Sequence, residues 1–142
     1  METKGQVVKA MVIIRRPRDG ALLISEGQNP AGELFHRPLG GHVEFGECAA
    51  DTAAREFREE IGQDLTGIRR ADVLENIFSW AGATQHEIVF VFTAAFADES
   101  AYEISEQFVR DARHPTLVTW RAPGTASPPL YPAGLETLLA DR

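Results

Sequence analysis

The stretch GHVEFGECAADTAAREFREEIG, residues 41–62, joins a glycine-rich segment directly to a helical pattern. Apolar residues recur within it at spacings of three and four, the period of a helix with one face in the core. These residues are Ala50, Ala53, Phe57 and Ile61. Gly62 comes next, where the C-terminus of a helix favours glycine. The pattern predicts a helix over residues 47–61.

Three glutamates, Glu56, Glu59 and Glu60, lie on one side of this predicted helix. Their side chains fall within an arc of roughly 100°, at the rotation per residue of an α-helix. A charged surface helix tolerates such a cluster, because each like-charged pair costs only a few tenths of a kcal/mol and Arg55 is close by. Clustered carboxylate oxygens are also the ligands that Mg²⁺ and Mn²⁺ prefer. The preceding Gly40-Gly41 pair, which permits a close backbone approach or a positive φ, favours the metal site.

The same stretch resembles the Nudix box, G-x5-E-x7-R-E-U-x-E-E-x-G-U, in which U is an apolar residue. The fixed positions are all occupied, by Gly41, Glu47, Arg55, Glu56, Phe57, Glu59, Glu60 and Gly62. The final position departs from the pattern, because Gln63 stands there in place of an apolar residue. The resemblance implies an α/β fold, a Nudix-type α/β/α sandwich with a mixed β-sheet, and a single domain over residues 1–142.

The resemblance also implies roles for the box residues. Glu56 and Glu60 are expected to bind Mg²⁺ or Mn²⁺, with Glu59 in the same shell and the backbone carbonyl of Gly41 as a further ligand. Glu47 is expected to support the loop, and Arg55 to pair with a carboxylate and orient it. The implied reaction is attack of water on a diphosphate bridge in a nucleoside diphosphate linked to another group.

The general base stays open between the box and a loop outside it. Family members that use a box glutamate favour Glu56, with Glu59 as a further catalytic candidate. A carboxylate outside the box would be Glu103 or Glu106. Glu87 is a third candidate, although a strand glutamate beside a histidine is more often an ion-pair partner.

Two residues outside the box are candidates for binding substrate. Arg37 precedes the Gly40-Gly41 pair and could contact a phosphate, although an exposed loop arginine is an equally good interpretation. Trp80 ends a predicted strand beside a glycine turn and could stack on a base. Phe35 and Phe78 could stack as well, but core packing is the favoured role for Phe78.

The remaining segments alternate between strand and turn patterns. Strands are predicted over residues 7–14, 21–25, 34–36, 42–45, 68–80, 87–96 and 117–120. Pro17 and Asp19-Gly20 mark a turn that would join the first two strands as a hairpin. Residues 104–109 could form a turn of helix. Residues 123–132 hold four prolines and are expected to form a loop, followed by a closing helix over residues 133–140.

The composition of the chain limits the classes of ligand and partner that are expected for it. A net charge of −7 over 142 residues disfavours a nucleic acid polymer as ligand, because phosphate neutralisation supplies most of that affinity. A small phosphorylated nucleotide remains compatible, since a bound cation supplies positive charge locally. Cys48 is the single cysteine, so no internal disulfide can form. No apolar run approaches the ~20 residues that span a bilayer, and no signal peptide is evident, so a cytoplasmic protein without membrane contact is expected.

Two other functions are compatible with parts of the sequence. A non-catalytic Nudix-fold module that binds a nucleotide or regulates a partner is the main alternative, but such modules usually lack a box glutamate, and here all are present. An isoprenoid diphosphate isomerase would have a cysteine upstream of the box, whereas Cys48 lies inside it. The resemblance leaves a homodimer open, and it does not choose between ADP-ribose, dinucleoside polyphosphates, nucleotide sugars and oxidised or ordinary nucleoside triphosphates.

Overall fold

The computed structural model describes residues 5–110 and 115–140. The strands in this part of the chain are β1 (Val7–Ile13), β2 (Leu22–Gln28), β3 (Leu34–Arg37), β4 (Gly40–His42), β5 (Leu65–Trp80), β6 (Ala83–Phe96), β7 (Glu106–Phe108) and β8 (Leu117–Arg121). The helices are α1 (Ala49–Ile61), a 3₁₀ helix (Glu99–Glu103) and α2 (Leu135–Ala140).

The strands form two sheets. The first has the order β4-β1-β6-β5, in which β1 and β6 are parallel and the other neighbours antiparallel. The second has the order β3-β2-β8-β7 and is antiparallel throughout. The mixed α/β class with a mixed sheet, predicted from the sequence, is therefore confirmed.

The C-terminal half of β1 is buried on both faces of the first sheet, and its alternate residues, which point in opposite directions, enter two different core clusters. Ala10 and Val12 join the core cluster that contains Phe57 of α1. Met11 and Ile13 join a second cluster that contains Leu135 of α2. A sheet covered on both faces needs apolar residues at successive positions, which explains the uninterrupted apolar run at the end of β1. The two helices and the sheet between them form the predicted three-layer sandwich.

The predicted hairpin between the first two strands is wrong. A turn at residues 16–20 does reverse the chain, but β1 and β2 then enter different sheets. Only an isolated bridge, Arg15 to Leu22, pairs the two segments. The physical reason is that both edges of β1 are already occupied, one by β4 and the other by β6.

Three local predictions also need correction. The strand expected over residues 42–45 is instead β4, Gly40–His42, and the residues after it form the loop that leads into α1. The turn of helix considered over residues 104–109 is replaced by β7, because Glu106–Phe108 pairs with β8. The helix expected from residue 47 begins at Ala49, which leaves Glu47 in the loop.

Candidate active site

Arg55 connects the helix of the box to its loop. Its Nε lies 2.8 Å from Glu47 Oε2 and its Nη2 lies 3.0 Å from Glu47 Oε1, a two-pronged arrangement that suits a guanidinium and a carboxylate. Thr52 Oγ1 donates a third hydrogen bond to Glu47 Oε1 at 2.6 Å. The Arg55 hydrogen bonds, followed by that of Thr52, lower the pKa of Glu47 to about 2. Glu47 is therefore ionised and fully engaged in holding the loop against α1.

The same guanidinium also reaches two of the other box glutamates. Arg55 Nη1 lies 3.0 Å from Glu56 Oε1 and 3.2 Å from Glu59 Oε2. The Glu56 side chain is 16% exposed, whereas that of Glu59 is 58% exposed. Glu56 is therefore held in place inside the site, while Glu59 keeps the freedom to turn towards a ligand.

Glu60 is half-buried at the end of α1. Burial raises the pKa of its carboxyl to about 8, and the neighbouring Glu56 adds to the rise, while Arg37 opposes it. A carboxyl in this condition is expensive to ionise alone and gains from a cation placed beside it.

From the raised pKa of Glu60 we predict how the stability of the metal-free protein depends on pH. Its free energy of unfolding is expected to fall as pH rises from about 4.5 towards 8, because the folded state keeps a proton on Glu60 that the unfolded state has released. The stabilising contribution is complete below pH 4.5 and is lost as pH passes the folded-state value. Urea unfolding in chelator at a series of pH values measures the slope. Glu60→Gln serves as the comparison, and an equal slope in that variant would refute the assignment.

The two adjacent glycines of β4 bring backbone close to other groups. Neither has a left-handed φ. A Cβ added at Gly41 would lie 2.4 Å from Glu56 Cδ, so the absence of a side chain lets the Glu56 carboxylate lie against the strand. A Cβ added at Gly40 would lie 2.0 Å from the carbonyl oxygen of Ala10. Of the two explanations for the Gly40-Gly41 pair, a close backbone approach therefore applies at both positions and a positive φ at neither.

The metal-ligand candidates line one cavity of about 550 Å³, here called the acidic cavity. Its lining includes Gly41, Glu56, Glu59 and Glu60. Within residues 5–110 and 115–140, no three Asp, Glu, His or Cys side chains are already arranged around a metal position. The donor set nevertheless suits a hard cation, since the exposed Glu59 can turn away from Arg55 to join Glu56 and Glu60.

A second cavity of about 700 Å³, here called the aromatic cavity, adjoins the first. Its lining includes four aromatic residues, Phe35, Phe78, Trp80 and Tyr131, and the amides Asn29, Asn76 and Gln85. Phe35 contacts Trp80 edge to face, with centroids 5.9 Å apart, and its ring centroid lies 5.4 Å from that of Tyr131. Lys9, Met11 and Arg37 line both cavities and form their junction.

The loop that carries Tyr131 is fixed by a buried arginine. Arg121 donates to the carbonyl oxygens of Pro128 and Thr125 at 2.5 and 2.6 Å. It also donates to His36 Nδ1 at 3.0 Å, which leaves the His36 Nε2 hydrogen for Glu26. The backbone of His36 pairs with the same loop, since Tyr131 N donates to His36 O at 2.8 Å. Together these bonds seat the proline-rich segment beside β3.

The remaining residues predicted from the sequence to bind substrate or act as the base lie at different places relative to the two cavities. Arg37 lies at the junction of the cavities and Trp80 in the aromatic cavity. Glu106 begins β7, is exposed, and lines neither cavity. Glu103 forms an exposed ion pair with Arg18 at 3.2 Å. Glu87 pairs with Lys9 at 2.8 Å, the partner role favoured for it.

Three cavity residues were missed from the sequence. Lys9 interrupts an otherwise apolar strand, which is a signal that could have been followed. Tyr131 lies in a proline-rich loop and Arg110 at the end of a polar segment, and nothing local distinguishes either of them. Both reach the site through contacts between segments far apart in sequence.

None of the helices in the described part of the chain is both long enough and apolar enough to cross a membrane.

Comparison with known proteins identifies the family. The NUDIX domain model matches residues 5–133. A MutT NUDIX hydrolase from Burkholderia pseudomallei superposes with a TM-score of 0.68 at 23% identity, covering 96% of this chain and 98% of the other. The E. coli ORF135 protein gives 0.59 at 22% identity, with coverage of 96% and 88%. A NUDIX hydrolase from Nitrosomonas europaea gives 0.59 at 19% identity, with coverage of 83% and 73%. At these identities the structures show the fold alone, whereas the family match spans the box and nearly all of the chain, so this chain belongs to the NUDIX family of pyrophosphohydrolases.

Proposed function

We propose that the chain uses Mg²⁺ or Mn²⁺ to hydrolyse a pyrophosphate bond in a nucleoside diphosphate linked to another group. The observation that carries this proposal is the junction of the two cavities. A carboxylate-lined cavity adjoins an aromatic one, and the cationic side chains Lys9 and Arg37 line both. A nucleotide needs an apolar surface for its base and positive charge for its phosphates, and the two cavities offer these side by side.

Glu56 and Glu60 would hold the cation, with Glu59 and the carbonyl of Gly41 as further oxygen ligands. Their common position in the acidic cavity supports this assignment. When bound, the cation neutralises phosphate charge and lowers the pKa of a coordinated water. The raised pKa of Glu60 is compatible with this role, because a neighbouring cation favours the ionised carboxylate.

The chain's own residues would perform the remaining tasks. Arg55 and Glu47 keep the loop and helix in register, so that Glu56 stays inside the cavity. Arg37 binds a phosphate at the junction, and Trp80 offers an aromatic face to the base. Glu59 is the more exposed of the two carboxylates that contact Arg55 Nη1, and the carboxylate oxygen that does not bind the cation would accept the proton from the attacking water as the new oxygen–phosphorus bond forms.

The test of the reaction is a panel of candidate substrates. The purified chain is incubated with Mg²⁺ or Mn²⁺ and ADP-ribose, dinucleoside polyphosphates, nucleotide sugars, and oxidised and ordinary nucleoside triphosphates, with chelator as control. Cleavage that requires the metal and yields a nucleoside monophosphate supports the proposal. If folded protein cleaves none of these compounds but binds one of them, the non-catalytic binding module becomes the better account.

The choice of general base can be tested by a matched pair of variants. Glu59→Gln is expected to lower kcat by about 100-fold or more, whereas Glu106→Gln should stay within about twofold of the parent, because proton transfer requires a base within reach of the water. Glu106 lies outside both cavities and therefore provides the control. The reverse result, a large loss only in Glu106→Gln, would move the base to the segment before β8.

A further inference from the structure

Arg110 lies against Gly62, the last glycine of the box. A Cβ added at Gly62 would lie 2.6 Å from Arg110 Nη1 and 2.8 Å from its Cζ. The backbone N–H of Arg110 donates to the carbonyl oxygen of Glu60 at 2.8 Å. The guanidinium is thus packed on the bare α-carbon of Gly62, and its backbone is tied to the last turn of α1.

Its position separates Arg110 from the other cationic residues of the site. Lys9 and Arg37 line both cavities, whereas Arg110 lines the acidic cavity alone. The positive charge of Arg37 favours the ionised form of Glu60 and so lowers the pKa of its carboxyl. The acidic cavity therefore has two cationic residues, Lys9 and Arg37, at its junction with the aromatic cavity and a third, Arg110, at a part that the aromatic cavity does not share.

The positive charge of Arg110 is available to a ligand. In the described ranges 5–110 and 115–140, no carboxylate forms an ion pair with Arg110. Arg18, Arg55, Arg58 and Arg121 each have such a partner. An unpaired guanidinium lining a cavity is suited to an anionic oxygen group, and its planar donors match phosphate.

We propose that Arg110 is a specificity-determining residue that binds the terminal phosphate of a nucleoside triphosphate. The inference rests on the proposed function. With the base in the aromatic cavity and the scissile bridge beside the carboxylates, the rest of the substrate extends to the part of the acidic cavity lined by Arg110. A terminal phosphate there gains charge-assisted hydrogen bonds, whereas a neutral sugar does not.

The corresponding reaction is hydrolysis of the triphosphate at its α–β bridge. Water forms a bond to the α-phosphorus, and the bond from that phosphorus to the α–β bridging oxygen breaks. The products are a nucleoside monophosphate and pyrophosphate, with release of the proton from water. Arg110 would hold the β- and γ-phosphates as they become the leaving group.

The test compares two substrates that differ only at this end. The four ordinary nucleoside triphosphates and the matching nucleoside diphosphate glucoses are assayed with the full chain and Mg²⁺. Arg110→Gln is expected to lower kcat/KM for the triphosphate by about 10- to 100-fold, the usual range for losing hydrogen bonds to a charged group. The value for the diphosphate glucose should stay within about twofold, and Arg110→Lys should recover part of the loss, since it keeps the charge without the planar fork.

Arg58→Gln is the matched control, because Arg58 is an exposed arginine in the last turn of α1 and pairs with Asp64 at 2.8 Å. This substitution should leave kcat/KM unchanged for both substrates. Calorimetric binding of the non-hydrolysable α,β-methylene triphosphates provides a readout without turnover. Weaker binding in Arg110→Gln alone supports the inference even if the proposed hydrolysis fails. Equal binding in the parent and Arg110→Gln, or an equal loss for triphosphate and diphosphate glucose, overturns it.

Discussion

Glu60→Gln is expected to lower kcat by about 1,000-fold while the chain stays folded. Glutamine keeps the size of the side chain but removes the negative charge that the metal would neutralise, and charge stabilisation of this kind contributes several kcal/mol. The half-buried position of Glu60 makes the substitution mild for the fold, because a neutral amide is easier to bury than a carboxylate. Steady-state kinetics with saturating Mg²⁺ measure the loss, using the best substrate from the panel.

Glu99→Gln provides the control for this variant, because Glu99 is an exposed glutamate on the 3₁₀ helix and lines neither cavity. It should retain parental kcat. Thermal unfolding at pH 8 in chelator adds a second readout, since the variant is expected to unfold at a higher temperature than the parent once the costly ionisation of Glu60 is removed. Parental activity in folded Glu60→Gln would reject Glu60 as a metal ligand.

Alanine substitutions at the two adjacent glycines are expected to fail in different ways. A Cβ at Gly40 would lie 2.0 Å from the carbonyl oxygen of Ala10 and 2.8 Å from Met11 Cα, both of which are backbone atoms of β1. The strand cannot yield without losing its pairing to β4, so Gly40→Ala should lower the free energy of unfolding by about 3 kcal/mol or more. Urea unfolding measures this loss.

Gly41→Ala has a different neighbour. Its Cβ would meet Cδ, Oε1 and Cγ of Glu56, the outer part of a side chain that can rotate away. The fold should therefore survive within about 1 kcal/mol, while kcat falls by about 100-fold because Glu56 is displaced from the cavity. Gly5→Ala is the control, since nothing lies within 4 Å of a Cβ there. A stable, active Gly40→Ala together with an unfolded Gly41→Ala would contradict the account.

The box segment was predictable because its information is local. Helical spacing predicted the buried face of α1 through Phe57 and Ile61, and the box pattern predicted the glutamates that line the acidic cavity. The departure at Gln63 also has a local explanation. Gly62 N donates to Arg58 O and Gln63 N donates to Phe57 O, so the backbone ends the helix without help from the side chain at that position.

The arrangement of the strands was not predictable, because it depends on pairings between distant segments. Their apolar and β-branched residues mark β1 and β6 as strands, but they do not indicate that Val7 lies opposite Glu87 in a parallel pair. The same limit applies to the site. Lys9 and Arg37 line the junction of the cavities although they lie on β1 and β3, strands of different sheets, and no local pattern in the sequence brings these two strands together.

The bonds from Arg121 have a consequence for how this enzyme can change. Its guanidinium binds main-chain oxygens, at Thr125 and Pro128, and therefore does not depend on the identity of the side chains in the loop. Natural variation or directed evolution can replace residues such as Tyr131 while the segment keeps its attachment. Under the proposed function, the preference for one base over another can thus diverge between descendants of this chain without disturbing the carboxylates of the acidic cavity.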